Sequence, residues 1–261
     1  MPGRRDLAAR QAAILESARA AGEVDVAALA AAHGVTPQTI RKDLNRLAER
    51  SLLARVHGGA AIGSGIANLL YEERRRLAAE AKARIGAAAA RLVPEGASLF
   101  INIGTTTESA ARHLANHEKL MVITNNLNVV DQLTAQIAGR SGISVIAVGG
   151  EVRSSDRAVV GALAHQFLDN FRVDYALIGT SGLSLEGDLL DFDPEEVQVS
   201  RTIIRNAREV ILVADSSKIA RSAPFRIAGL EALSHLVTDC IDHPELRARI
   251  LAASVNLVET G

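Results

Sequence analysis

From Ser98 onward the chain alternates short apolar runs with helical stretches, and no other feature constrains its fold as tightly. The runs lie at residues 98–103, 121–124, 144–148, 175–178, 210–214 and 235–238, each four to six residues long. They are too short for buried helices and bounded by Gly, Asn, Asp and Ser, which marks them as strands. A strand that pairs parallel with its predecessor needs a long crossover to return to the starting edge, and a helix supplies it. The expected fold class is therefore α/β with a mainly parallel sheet. Pro94-Glu95-Gly96 is the point at which this style begins.

The first 60 residues follow a different rule. Leu7, Ile14, Leu15 and Ala18 form a helical stripe, and Asp25 is placed to cap a second helix carrying Ala28, Leu29 and Ala32. That helix stops at His33-Gly34, with glycine just past its end. Thr36 then stands as N-cap with Pro37 at the first helical position, where a missing N–H costs nothing. The third helix runs to about Glu49. Leu52-Leu53-Ala54-Arg55-Val56 and the turn His57-Gly58-Gly59 suit a two-stranded wing. Helix, short helix, tight turn and capped helix make a winged helix-turn-helix. A small Gly-rich linker, 60–65, leads to one charged helix over about 67–92, in which Arg74-Arg75-Arg76 reads as a solvated face or an interdomain contact. The expected division is 1–60, 61–92 and 93–261.

Composition narrows the function classes. The chain has 261 residues, a net charge of −1 and 48% hydrophobic residues, enough to bury a core. Acids and arginines interrupt every apolar stretch before the ~18 residues a membrane span needs. The N-terminus lacks the apolar core of a secretory leader, so a cytoplasmic protein without membrane contact is expected. Cys240 is the single cysteine and the seven histidines show no ligand spacing, so neither metal nor other cofactor is expected. The neutral total conceals a division. Residues 1–60 hold nine basic and six acidic residues, a balance of +3, and the other 201 hold 20 and 24, a balance of −4. A basic module on an acidic partner domain is compatible with nucleic acid.

Turning ~100° per residue, the third helix gathers Ile40, Leu44 and Leu47 on one face. Gln38, Lys42 and Asn45 fall opposite, flanked by Arg41 and Arg46. These amides and cations can read adenine and guanine edges in the major groove, and Thr36 and Thr39 stand at the helix start. Arg50, Arg55 and His57 are candidates for phosphate contacts, which position a protein without reading sequence. Asp43 would repel phosphate and is expected to pair with a neighbouring arginine.

In the α/β domain the loops after the strands carry the chemistry. Gly104-Thr105-Thr106-Thr107 joins a strand to a helix and offers amides and hydroxyls to an oxyanion. No Gly-Lys-[Ser/Thr] follows, which excludes a Walker loop, and Gly-x-Ser-x-Gly is absent. Asn125, Gly150, Arg153, Gly179 and Lys218 lie in the corresponding loops. Such loops converge at the carboxyl ends of an open α/β sheet. Arg153 and Lys218 would bring positive charge to a phosphate, and Asp174, Asp191 and Asp215 would accept hydrogen bonds from hydroxyls.

Thr36-Pro37-Gln38-Thr39-Ile40-Arg41-Lys42-Asp43-Leu44 and Leu53-Ala54-Arg55-Val56-His57-Gly58-Gly59-Ala60 closely resemble the winged helix of the DeoR family of bacterial transcriptional regulators. Asn102-Ile103-Gly104-Thr105-Thr106, Thr124-Asn125, Gly149-Gly150-Glu151-Val152-Arg153, Asp174 and Ala214-Asp215-Ser216-Ser217-Lys218 resemble the same family's effector-binding domain. The resemblance covers essentially the whole chain. It implies a domain similar in fold to ribose-5-phosphate isomerase that senses phosphorylated sugars or polyols. Leu189-Leu190-Asp191-Phe192-Asp193 points, within the family, to glycerol 3-phosphate. The implied partners are a double-stranded DNA operator, that effector and further copies of the chain as a homo-oligomer, dimer or tetramer. Two departures stand out: Asn102 replaces the family's usual Asp, and Gln198 occupies a position where the family usually has an acid. Lys42 replaces the second of an arginine pair, keeping the charge and losing the planar fork. The expectation is a repressor, not an enzyme, released by its effector. The alternatives are an activator of the same design or a sugar-phosphate isomerase, for which no acid–base pair is positioned in the sequence.

Overall fold

The computed structural model describes residues 10–11, 13–14, 17–18, 23–49, 54–56, 59–61, 71, 74–136 and 142–261. The chain divides into two units, Met1–Glu73 and Arg74–Gly261. Leu7, Leu15, Arg50, Leu52, Leu53, His57, Gly58 and positions 62–65 lie outside the described residues.

In the first unit, Asp25 accepts the amides of Ala27 and Ala28 at 2.8 and 2.9 Å and starts the helix Val26–His33. Gly34, at φ +62°, ends it. Val35 then donates to the Ala30 carbonyl, closing the helix end within the turn. Thr36 Oγ1 accepts the Thr39 amide at 3.2 Å and opens the helix Pro37–Glu49. A cap of this kind contributes about 1 kcal/mol. Ile40, Leu44 and Leu47 pack with Leu29, Ala30, Val26 and Ile14 in one core. The wing has three strands rather than the expected two: β1 (Glu23–Asp25), β2 (Ala54–Val56) and β3 (Gly59–Ala61), in the order β1-β3-β2 and antiparallel throughout. The residues just before the second helix close the sheet, and positions 60 and 61 belong to it rather than to the linker. A three-residue strand carries too little pattern to be recognised from sequence.

The second unit is built on a seven-stranded sheet whose neighbours are all parallel. Its strands are β4 (Ser98–Ile101), β5 (Leu120–Thr124), β6 (Ile143–Ala147), β9 (Val173–Ile178), β12 (Ala207–Val213), β14 (His235–Thr238) and β15 (Asn256–Glu259). The order is β15-β14-β12-β9-β4-β5-β6. The last of these strands was not expected, because an edge strand of four residues with exposed ends has no continuous apolar run. The helices Ala79–Arg91, Thr105–Leu114 and Leu127–Gln136 cover one face. Ala162–Leu168, Pro194–Arg205 and Pro244–Ala252 cover the other. A hairpin of β7 (Glu151–Arg153) and β8 (Ala158–Val160) and a small sheet of β10 (Gly182–Leu183), β11 (Asp188–Asp191) and β13 (Phe225–Gly229) flank it.

The strand order locates the site. From β4 the chain proceeds outward through β5 and β6, then returns to place β9 on the other side of β4 and proceeds the opposite way. The loops after β4 and β9 therefore diverge and leave a crevice at the carboxyl ends. The charged helix expected over 67–92 is broken: a helical turn at 74–76 is separated from Ala79–Arg91 by Ala78, whose φ is +51°.

Candidate nucleic-acid interface and anion cleft

Gln38, Arg41, Lys42, Asn45 and Arg46 are all exposed on the helix Pro37–Glu49, with Thr36 exposed at its cap and Thr39 half-buried. The Thr36 and Thr39 hydroxyls lie 3.0 Å apart and bond to each other. Asp43 is 1% exposed and accepts from Arg10 Nε at 2.7 Å. The expected pairing exists, but its partner comes from the first helical segment rather than from Arg41 or Arg46. Burying Asp43 removes its charge from the surface and leaves a cationic and amide face of the kind that suits a major groove. Arg55 sits in β2, of which only the backbone is described, and His57 is outside the described residues.

In the second unit an open cleft lies at the β4/β9 switch. Gly104 precedes the helix Thr105–Leu114 at φ +152°, a conformation that favours glycine. It turns the chain so that the helix presents its first amides, which have no intrahelical acceptor, toward the cleft. Thr105 and Thr106 line the same space. Thr107 does not: its buried hydroxyl donates to the carbonyls of Asn102 and Gly104 at 3.0 and 2.7 Å and holds the turn shut. Asn102 spans the crevice, accepting the Gly179 amide at 2.9 Å and donating to Ser200 Oγ at 3.3 Å. An aspartate could accept from Gly179 but could not, when ionised, donate to Ser200. The asparagine thus makes both bonds without adding negative charge beside an anion site.

Asp191 and Lys218 also line the cleft. Asp191 accepts the Phe192 and Asp193 amides at 2.7 and 3.3 Å, yet burial holds its carboxyl above the usual range. Burial, reinforced by the nearby Arg221 and Arg74 charges, pushes the Lys218 ammonium down to about 8. Glu196 lines the cleft as well, and burial together with the charge of Asp191 pushes it up to about 8.

Several expected residues are placed elsewhere. Arg153 bonds Asp156 at 2.7 Å and also pairs with Asp193 and Glu196. Burial works against its charge, but the hydrogen bond to Asp156 and the charge of Glu196 hold its pKa above the ordinary value. Its cation is thus spent on carboxylates, two of which line the cleft. Asp174 is corrected outright. It accepts the Ser98 amide and hydroxyl at 3.0 and 2.7 Å, tying together the amino-terminal ends of β4 and β9, at the far end of the sheet from the cleft. Asn125 is fully buried and donates to the Val159 carbonyl at 3.0 Å. Gly150 packs against Val159 and is not among the residues lining the cleft. Arg74 was missed: read as one of a solvated run, it lines the cleft, with Asp156, Ser181 and Ser200. No periodicity distinguishes it from Arg75 and Arg76. Among the described residues no cluster suited to a metal ion occurs, and no helix is long and apolar enough to cross a membrane.

Residues 10–64 match the DeoR-like helix-turn-helix domain, and residues 77–240 match the DeoR C terminal sensor domain. The chain is 40% identical to the glycerol-3-phosphate regulon repressor of Escherichia coli K12, over 88% of this chain and 90% of that protein. It is 41% identical to the protein of the same name from Haemophilus influenzae, over 90% of each. Among solved structures, ribose 5-phosphate isomerase A from Methanocaldococcus jannaschii is 19% identical, with a TM-score of 0.39 over 54% of this chain and 55% of that one, a partial likeness that says nothing of chemistry. With both halves matched and the curated relatives covered nearly end to end, the chain belongs to the DeoR family.

Proposed function

We propose that this chain is a transcriptional repressor that binds an operator through the helix Pro37–Glu49 and is released by a phosphorylated polyol, glycerol 3-phosphate first among them. One observation carries the reading. Gly104, Thr105 and Thr106 place the start of a helix at a cleft that also holds Arg74 and Lys218, with hydroxyl acceptors at Asp191 and Glu196. It occurs on the same chain as an exposed Gln38, Arg41, Lys42, Asn45 and Arg46 face. The glycerol-3-phosphate regulon repressors that the chain resembles support the ligand's identity.

Residues 1–60 read DNA, 61–92 link and couple, and 93–261 sense. Acting in the cytoplasm as a homo-oligomer, the protein places two recognition helices on successive half-sites about 10 bp apart. The effector favours the conformation that does not fit DNA and shifts the population toward it, which requires a difference in its affinity for the two states. No enzyme activity is proposed.

The test is fluorescence anisotropy with a duplex selected by the chain from a random pool, at fixed salt. Saturating glycerol 3-phosphate should weaken binding, by about tenfold or more for a coupling of ordinary size. Unchanged affinity would remove glycerol 3-phosphate as the effector.

A further inference from the structure

Arg74 is the first residue of the second unit, next in the chain to Glu73, the last residue of the first. Its side chain lines the cleft. Among the described residues its Nε is buried with no hydrogen-bond acceptor, a costly state for a guanidinium unless something else meets it. The buried Lys82 ammonium donates to the Arg74 carbonyl and, at 2.9 Å, to the Leu77 carbonyl. Lys82 in turn lies 3.9 Å from the buried Asp215. Ala78 closes the turn in a left-handed conformation before the helix Ala79–Arg91 begins.

The electrostatics point the same way. Burial lowers the pKa values of both Lys82 and Lys218, the nearby Arg74 charge adds to the effect, and Asp215 opposes it at both. Arg153 gives no help, since Asp156, Asp193 and Glu196 already hold it. A phosphate monoester entering the cleft would supply the acceptor that Arg74 Nε lacks.

We infer that Arg74 is the residue through which the cleft signals: the ligand's phosphate pairs with its guanidinium, and that pairing fixes the 74–78 turn from which the chain leads back to the DNA-reading unit. The inference rests on reading the cleft as the effector site, and it adds the contact and the route. An arginine placed only for stability would leave ligand release intact when replaced; a signalling arginine would not.

The test uses the full chain and its Arg74→Gln variant. Binding of glycerol 3-phosphate and of inorganic phosphate is followed by calorimetry, and DNA binding by anisotropy on the selected duplex. In Arg74→Gln, ligand affinity should fall by about tenfold or more, the usual result of losing a charge-assisted bond. Ligand should fail to release the duplex even at concentrations that fill the site. Equal binding and equal release in variant and parent would overturn the inference while leaving the effector reading in place. A parent chain that binds neither anion would instead overturn the effector reading, and the inference with it. Should Arg74→Gln not fold, hydrogen exchange on the unaltered chain decides. Slower exchange of the 74–78 amides with glycerol 3-phosphate supports the route, and unchanged exchange at saturation overturns it.

Discussion

Asp43 meets Arg10 at 2.7 Å across 33 positions of sequence, with the carboxylate withdrawn from solvent. Replacing it by alanine strands the arginine and opens the seam between two helices. Asp43→Ala should cost about 2 kcal/mol in urea unfolding, less than a fully buried pair because Arg10 keeps some water. Arg41→Ala should weaken operator binding by about 1–3 kcal/mol and relax preference at one base pair if it reads an edge, whereas a phosphate contact would lower affinity for all sequences alike. In the cleft, two groups titrate together. Below about 8 Lys218 is charged, and above it that charge is lost; Glu196, raised to about 8 by burial and Asp191 against the pull of Arg153, gains negative charge over the same range. Both changes oppose an anion, so glycerol 3-phosphate affinity should fall as pH rises from 7 to 9, and Lys218→Met should flatten that profile in calorimetry. A flat profile in the unaltered chain would contradict this. The exposed recognition residues were legible because a helix repeats every 3.6 residues and one face was apolar. The roles of Arg153, Asp174 and Arg74 were not, since each depends on partners brought from distant segments.

At the scale of elements, the turn after β4 is the sharpest constraint. Gly104 stands at φ +152°, and a Cβ there would lie 3.3 Å from Thr107 Oγ1, the hydroxyl that holds the turn. Gly104→Ala should therefore lower stability by about 1–3 kcal/mol in thermal unfolding and weaken anion binding with it. If anion affinity survived unchanged, the helix amides would not form the cradle. Ala78 offers the opposite case. A left-handed alanine costs about 1 kcal/mol that glycine would not incur, so Ala78→Gly should raise the melting temperature slightly despite glycine's looser unfolded chain. The strands that build the sheet interior were readable as apolar runs between turn residues. The three-residue β1 and the edge strand β15 were not, because so few residues carry no period.

At the scale of the molecule, the modest +3 of residues 1–60 implies that DNA affinity depends on placing two modules on one site. Affinity for the selected duplex should fall steeply with salt, the slope of log K against log[salt] approaching −0.9 for each phosphate neutralised. Sedimentation at the same protein concentration should show a species larger than one chain. A monomer that binds as tightly would remove the need for paired modules.

Sequence by itself determined the division into a basic helix-turn-helix and an α/β domain, the caps of the helices and the glycine–threonine turn. These follow from local rules: periodicity, cap chemistry and the conformations glycine permits. Tertiary structure alone decided that β9 lies beside β4, and hence where the crevice opens. It also decided which charges remain for a ligand. Arg153 is neutralised by carboxylates up to 43 positions away, Asp174 serves the far end of the sheet, and Arg74 leaves the solvated run to line the cleft. Charge acts through distance in space, and a linear sequence does not contain that distance.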